Sequence, residues 1–243
     1  MNAINLTAIR CGDCPIRHRA VCSRCNDDEL TLLENMKSYK SFAAGEVILW
    51  RGEPLDYVAS IVDGVASLSK TMEDGRTQMV GLMLPSDFIG RPGRTKVAFD
   101  VTATTDVTLC RFERKSFERL VVNTPHLAQR LMEIALDELD AARDWMVLLG
   151  RKTAREKIAT FIDMLALRSL AGASKNDVQI ELPMTRNQIA DYLGLTLETV
   201  SRHINALKKE GIITLSGRKS ITVANISALR SATGDDADSE ASS

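Results

Sequence analysis

The apolar rhythm of the chain changes three times. The first 26 residues are polar, rich in cysteine and arginine, and follow neither a helical nor a strand period, so they need an external organiser such as a metal. From Asp27, DDELTLLENM sets Leu30, Leu33 and Met36 on one side of a short helix, with Asp27 or Asp28 as its N-cap. Short apolar runs then alternate with turn signals. VILW, YVASIV, VASLSK, QMVGLM, DFIG, FDVTAT and VTLCRF are separated by Gly45, Gly52, Gly64, Asp74-Gly75 and Pro85. Strands at that spacing predict an all-β sandwich or roll over 27–124, with Glu73–Arg76 as its clearest hairpin turn.

A helical period follows over 125–150. Met132, Ala135, Leu139, Ala142, Met146 and Leu149 recur at alternating steps of three and four, which makes an a/d seam. A second stripe, Leu131, Ile134, Ala141, Trp145 and Leu148, lies on an adjacent face. Two apolar faces predict either pairing with a second copy of the helix or burial on two sides of a monomer. Alanine at two of the six seam positions makes the seam thin, and a thin dimer is one that a distant event can switch.

Residues 151–230 read as a further amphipathic helix, a polar link (AGASKNDVQ) and a compact helical unit, before an acidic tail, 231–243, expected to be disordered. In LPMTRNQIADYLGLTLETVSRHINALKKEGIITL, Thr185 and Gln188 form a capping box and Gly194 ends the helix they start. Thr196 caps a second helix that runs to about Lys209, with Val200, Ile204 and Leu207 inward. IITL and SITV follow as a two-stranded wing, so the unit is a winged helix-turn-helix. Glu198, Ser201 and Arg202 lie on its exposed face. Arg202 can bond guanine O6 and N7, Glu198 can accept from cytosine N4, and Ser201 can do either. Thr196, Thr199, Arg186 and Lys208 are further candidate DNA contacts. Over 183–220, six basic residues (Arg186, Arg202, Lys208, Lys209, Arg218, Lys219) stand against three acids, which supplies phosphate attraction.

A net charge of −1 over 243 residues neither favours nor opposes nucleic acid, because a local basic surface is enough. No apolar run approaches the roughly 18 residues that span a bilayer, and the N-terminus lacks a signal-peptide pattern, so a cytoplasmic protein with no membrane partner is expected. No Ser–His–Asp set is visible, and His18, His126 and His203 share no helical or hairpin spacing, so no enzyme activity is expected.

Four of the five cysteines, Cys11, Cys14, Cys22 and Cys25, fall within CGDCPIRHRAVCSRC, and Cys110 stands alone in TLCRF. An odd count suits a disulfide framework poorly. Thiolates this close suit a soft metal centre. Spacing leaves open a zinc site on Cys11, Cys14, Cys22 and Cys25 and an iron–sulfur cluster, while a CxxC redox pair lacks its βαβ setting. Cys110 by itself reads as a small buried apolar residue.

A β-roll, a long helix and a winged helix-turn-helix in this order resemble the CRP/FNR superfamily of bacterial transcription regulators over essentially the whole chain, which gives an α+β fold with a cyclic-nucleotide-binding-like roll. DYLGLTLETVSR resembles the FNR branch, in which Glu-x-x-Ser-Arg reads a TTGAT-type half-site, here Glu198, Ser201 and Arg202. CGDCPIRHRAVC, TMEDGRTQMVGL and LPSDFIGRPGR resemble oxygen-responsive members from photosynthetic and denitrifying alphaproteobacteria. The resemblance implies a [4Fe–4S] cluster on Cys11, Cys14, Cys22 and Cys110, with Cys25 spare, and a homodimer when anoxic. It also implies a contact between Glu73–Arg76 and RNA polymerase. Arg91 and Pro92 follow Gly90 where the cyclic-nucleotide branch has Glu-Leu, and Val101-Thr102-Ala103 lacks its phosphate-binding arginine, so no cyclic nucleotide is expected.

Overall fold

In the computed structural model, residues 10–169, 178–217 and 219–235 are described. The chain forms two compact units, residues 1–140 and 141–243. The division falls inside the long helix rather than at 124 or 150, so that helix is not a separate body: its first half belongs to the roll.

In the first unit, α1 (Asp27–Met36) begins at Asn26, whose side chain accepts from the Glu29 amide while Glu29 reaches back to the Asn26 amide. This capping box replaces Asp27 or Asp28 as the expected cap, because only a residue three before Glu29 can close it. Two four-stranded sheets follow, ordered β1-β8-β3-β6 and β2-β7-β4-β5. The strands are β1 (Lys37–Phe42), β2 (Val47–Leu49), β3 (Tyr57–Asp63), β4 (Ala66–Thr71), β5 (Thr77–Met83), β6 (Phe88–Ile89), β7 (Asp100–Ala103) and β8 (Val107–Glu113). All the pairings are antiparallel, and β1, which the apolar pattern did not predict, is one edge of the first sheet.

The alternation along β3 and β8 explains two cores. Ala59, Ile61, Val107 and Leu109 join Ile48, Leu49, Met83 and Val101 between the sheets. Val58, Val62, Cys110 and Phe112 point the other way, towards Phe117 of α2 (Arg114–Asn123), Leu127 of α3 (Pro125–Arg151) and Leu30 and Leu33 of α1. A sheet covered on both faces needs a near-continuous apolar strand, which is what YVASIV is. The hairpin between β4 and β5 closes over 72–76, with Gly75 at φ 85° and Asp74 accepting from the Arg76 amide.

The second unit holds the rest of α3, α4 (Ala154–Ser169), β9 (Val178–Glu181), α5 (Arg186–Leu193), α6 (Leu197–Lys209), β10 (Ile213–Ser216), β11 (Ser220–Val223) and α7 (Ile226–Ser231). The wing is three-stranded, β10-β11-β9, rather than two-stranded. VQIE, partly assigned to a polar link, buries Val178 and Ile180 and supplies the third strand. The tail begins later than 231: Ser231 ends α7, Thr233 is buried, and Asp235 pairs with Lys152 at 2.6 Å. Residues 236–243 lie outside the described residues. Among the described residues no helix is long and apolar enough to cross a membrane.

Candidate metal centre and nucleic-acid interface

The cysteine segment is organised by its own residues to a degree that its polar composition conceals. After a 3-10 turn at Cys11–Asp13, successive turns close Arg17 onto Cys14, Ala20 onto Ile16 and Cys25 onto Cys22. Ile16, Ala20 and Val21 are buried among Leu30, Leu33, Phe117 and Leu127. These apolar anchors carry part of the ordering that the sequence reading assigned to an external organiser.

All five cysteines join this core and all are free thiols. Burial raises the Cys110 thiol, and Cys11, Cys22 and Cys14 stand close enough to raise it further. Burial pushes Cys22 up to about 12, with Cys14, Cys11 and Cys25 adding to it. Cys25 is raised to about 11, by burial first and then by Glu29. The Lys37 ammonium opposes the rise at Cys110, and Cys25 acts on Cys22. Thiols held protonated in this way bind metal only with loss of protons, so affinity rises with pH.

Two charged residues that sequence reasoning missed complete the surroundings. The Cys11 amide donates to Glu34 at 2.9 Å, and Lys37 donates to Glu34 at 3.3 Å and to the Cys11 sulfur at 3.7 Å. Burial raises the Cys11 thiol and the Lys37 ammonium opposes that. The segment is also clamped to α3. Arg24 makes two contacts of 2.9 Å with Glu133, Arg130 joins Glu133 at 3.1 Å, and Arg130 donates to the Arg19 carbonyl at 2.8 Å.

Among the described residues, no three His, Cys, Asp or Glu side chains close on one point as the ligands of a single metal ion would. The thiolates of one zinc must all come within about 2.3 Å of it. In a four-iron cluster the four cysteines share the work around a larger group. Free thiols gathered in one core are soft donors of the kind such a cluster takes.

Along α3 the two stripes separate except at Ala141, which is exposed. Leu131 and Ile134 pack on the cysteine-side core and Leu148 is buried, whereas Met132, Ala135, Leu139, Ala142 and Met146 are exposed and Leu149 half-buried. Met132 and Met146 are 67% and 73% exposed, which leaves an apolar seam facing solvent.

In the second unit the expected caps form. Thr185 and Gln188 close their box, Gly194 takes φ 64° in the left-handed region, and Thr196 accepts from the Thr199 amide. The Thr196 and Thr199 hydroxyls also meet at 2.9 Å, so both serve the cap. Glu198, Arg202 and Lys208 are exposed, and Ser201 and Arg186 half-buried. Among the described residues the side chains of Glu198, Ser201 and Arg202 make no hydrogen bond or ion pair. Arg218 lies outside the described residues.

Several contacts hold α5 and α6 steady. Arg155 of α4 grips Glu210, the C-cap of α6, through two bonds of 2.7 and 2.5 Å. Lys157 donates to the Leu193 carbonyl at 3.4 Å, and Tyr192 of α5 stacks on Trp145 of α3 with ring centres 4.1 Å apart.

Residues 39–124 match the cyclic nucleotide-binding domain family and residues 156–232 the Crp-like helix-turn-helix domain family. The chain is 57% identical to the transcriptional activator protein FnrL of Cereibacter sphaeroides, with 94% of each covered. It is 39% identical to the nitrogen fixation regulation protein FixK of Bradyrhizobium diazoefficiens, with 91% of this chain and 94% of the relative covered. The structure of FixK2 from Bradyrhizobium japonicum matches at 34% identity with a TM-score of 0.75, over 83% of this chain and 99% of that one. A CooA mutant from Carboxydothermus hydrogenoformans, at 18% identity and a TM-score of 0.67 over 83% and 89%, shares the fold. With a roll, a long helix and a capped helix-turn-helix in one chain, these matches make it a member of the CRP/FNR family of transcription regulators, a DNA-binding protein of the FNR/FixK type.

Proposed function

We propose that the protein is an oxygen-responsive transcription activator and repressor of the cytoplasm. Cys11, Cys14, Cys22 and Cys110 hold a [4Fe–4S] cluster. When oxygen is absent, a homodimer paired along Met132, Ala135, Leu139, Ala142, Met146 and Leu149 binds a pseudo-palindrome of TTGAT-type half-sites. The observation that carries this reading is that Cys110 of β8 lies in the same core as Cys11, Cys14 and Cys22 of the N-terminal segment. When bound, such a group supplies an oxygen-labile link between the N-terminal segment and β8.

The chain's own residues do the rest. Arg24, Arg130 and Glu133 join the cysteine segment to α3 one residue from Met132, so the order of that segment bears on the seam. Pairing sets two copies of α6 about one DNA turn apart, and Glu198, Ser201 and Arg202 of each read half of the site. Arg186 and Lys208 add phosphate attraction, and Thr196 and Thr199 fix the start of the reading helix. The exposed turn Glu73–Arg76 meets RNA polymerase.

No cyclic nucleotide is part of this reading. The Gly93 amide, in the loop after β6, is occupied by Glu118 at 2.8 Å, and the Arg114 guanidinium is committed to Leu55 and Glu118. β7 offers Val101, Thr102 and Ala103 with no arginine to meet a phosphate.

The test is iron, sulfide and zinc analysis with a visible spectrum on protein purified without oxygen, wild type beside Cys25→Ala and Cys110→Ala. The expected result is about four irons and four sulfides per chain, lost in Cys110→Ala and kept in Cys25→Ala. One zinc per chain, lost with Cys25 and indifferent to Cys110, would overturn the cluster. Anoxic binding to a TTGAT duplex that persists unchanged in air would overturn the oxygen response.

A further inference from the structure

One hydroxyl buried on the cysteine side of the first sheet has no partner among the described residues. Ser60 lies in the middle of β3, is 3% exposed, and its hydroxyl makes no hydrogen bond among the described residues. The alternation of β3 places it on the face of Val58 and Val62, which is the cysteine side, and away from that of Ala59 and Ile61. Its cross-strand partner in β8 is Cys110, whose partner on the other side is Tyr39 of β1, and beyond Ser60 comes Phe88 of β6. Tyr39, Cys110, Ser60 and Phe88 therefore form one row across the four strands. Residues directly opposed in such a row have Cβ atoms about 4.5–5.5 Å apart, so the Ser60 hydroxyl stands beside the Cys110 side chain. A buried hydroxyl left unpaired destabilises a fold, and alanine would occupy the same strand position without that cost. In this core the side chain directly across the strand pair from Ser60 is that of Cys110, whose sulfur can accept from the hydroxyl.

We infer that Ser60 is a positioning residue for the cluster, its hydroxyl donating to the Cys110 thiolate or to an adjacent sulfide. The inference rests on the ligand set proposed above. A hydrogen bond to a cluster sulfur stabilises the more electron-rich state and so raises the reduction potential. Ser60 thereby slows oxidation by oxygen, setting how long the loaded state survives in air.

The test compares wild type and Ser60→Ala, loaded without oxygen. It reads iron and sulfide content, the reduction midpoint, the rate of visible absorbance loss in air, and urea unfolding of the metal-free protein. Ser60→Ala is expected to take up the same iron, to show a more negative midpoint, and to lose its absorbance about fivefold faster, the factor for one ordinary hydrogen bond. The metal-free variant is expected to be as stable as wild type or more stable, because an unpaired hydroxyl has been removed. A residue with a packing role alone would move both stabilities together, so a loss confined to the loaded state separates the two. Equal midpoints and equal loss rates would overturn the inference, as would a metal-free variant weakened in step with the loaded one. Wild type that takes up no iron would overturn the ligand set, and this inference with it.

Discussion

Replacing Tyr192 by alanine tests how the reading helices are held. Tyr192 is 4% exposed, its ring stacks on Trp145 at 4.1 Å and 25°, and it meets Phe161 edge-on at 6.0 Å. Truncating a buried aromatic of this size costs about 3–5 kcal/mol, of which the stack accounts for roughly 1 kcal/mol. With a urea slope near 2 kcal/mol/M, the unfolding midpoint of the second unit should fall by about 2 M. The chain has two tryptophans, Trp50 and Trp145, so a Trp50→Phe background makes Trp145 the reporter of this unfolding. Its emission should shift to the red in Tyr192→Ala before any denaturant is added, since the ring loses its cover. Tyr192→Phe keeps both ring contacts and should stay within about 0.5 kcal/mol of wild type. A midpoint drop below about 0.5 M, or an unchanged Trp145 emission, would show that the stack does not hold α5.

At the DNA face, Arg202→Ala should cost about 1–3 kcal/mol at its own base pair and relax specificity there, while Lys208→Ala should weaken all sequences alike and lower the salt slope by about 1. Competition titrations at several salt concentrations decide this, and a uniform loss for Arg202→Ala would count against base reading. In the roll, Gly64 has φ 86°, and a Cβ there would collide with the Asp106 carbonyl oxygen. Gly64→Ala should therefore destabilise the first unit by more than about 2 kcal/mol in a thermal melt, and a near-neutral change would refute the clash. The Glu118 carboxyl is held below its ordinary value, by the Gly93 amide first and Arg114 second. Its folded pKa is depressed, so its stabilisation is full above the unfolded value of about 4.3 and is lost as pH falls through the folded one. Acid unfolding of Glu118→Gln should lack that part of the pH dependence, and identical acid profiles would remove Glu118 from the account.

The parts legible in the sequence are those set by near neighbours. Thr185, Gln188, Gly194 and Thr196 act over three or four residues, so the helix-turn-helix could be read from them alone. The seam on α3 was equally plain, because helical spacing separates Met132 and Met146 from Leu131 and Leu148 whatever the surroundings. The missed elements depend on distant pairing. KSYKSF has one buried side chain and no apolar run, and it becomes β1 only because β8 offers an edge. That register brings Tyr39 to Cys110, and nothing local announces it. Ser60 went unremarked for the same reason, since its meaning lies in the residue across the sheet. In the cysteine segment, Ile16, Ala20 and Val21 were hidden among arginines, and their burial appears only once α1 and α3 provide a surface.

The lack of internal bonds on Glu198, Ser201 and Arg202 bears on how such a regulator diverges. Val200, Ile204 and Leu207, on the opposite side of α6, are fully or almost fully buried and tolerate little change. In the proposed reading these three positions meet the bases, and with no hydrogen bond or ion pair among the described residues to lose, their exchange would alter which operators are recognised without breaking a bond that holds the unit together. A duplicated copy of the gene can acquire a new set of promoters through single substitutions, with no compensating change elsewhere in the chain.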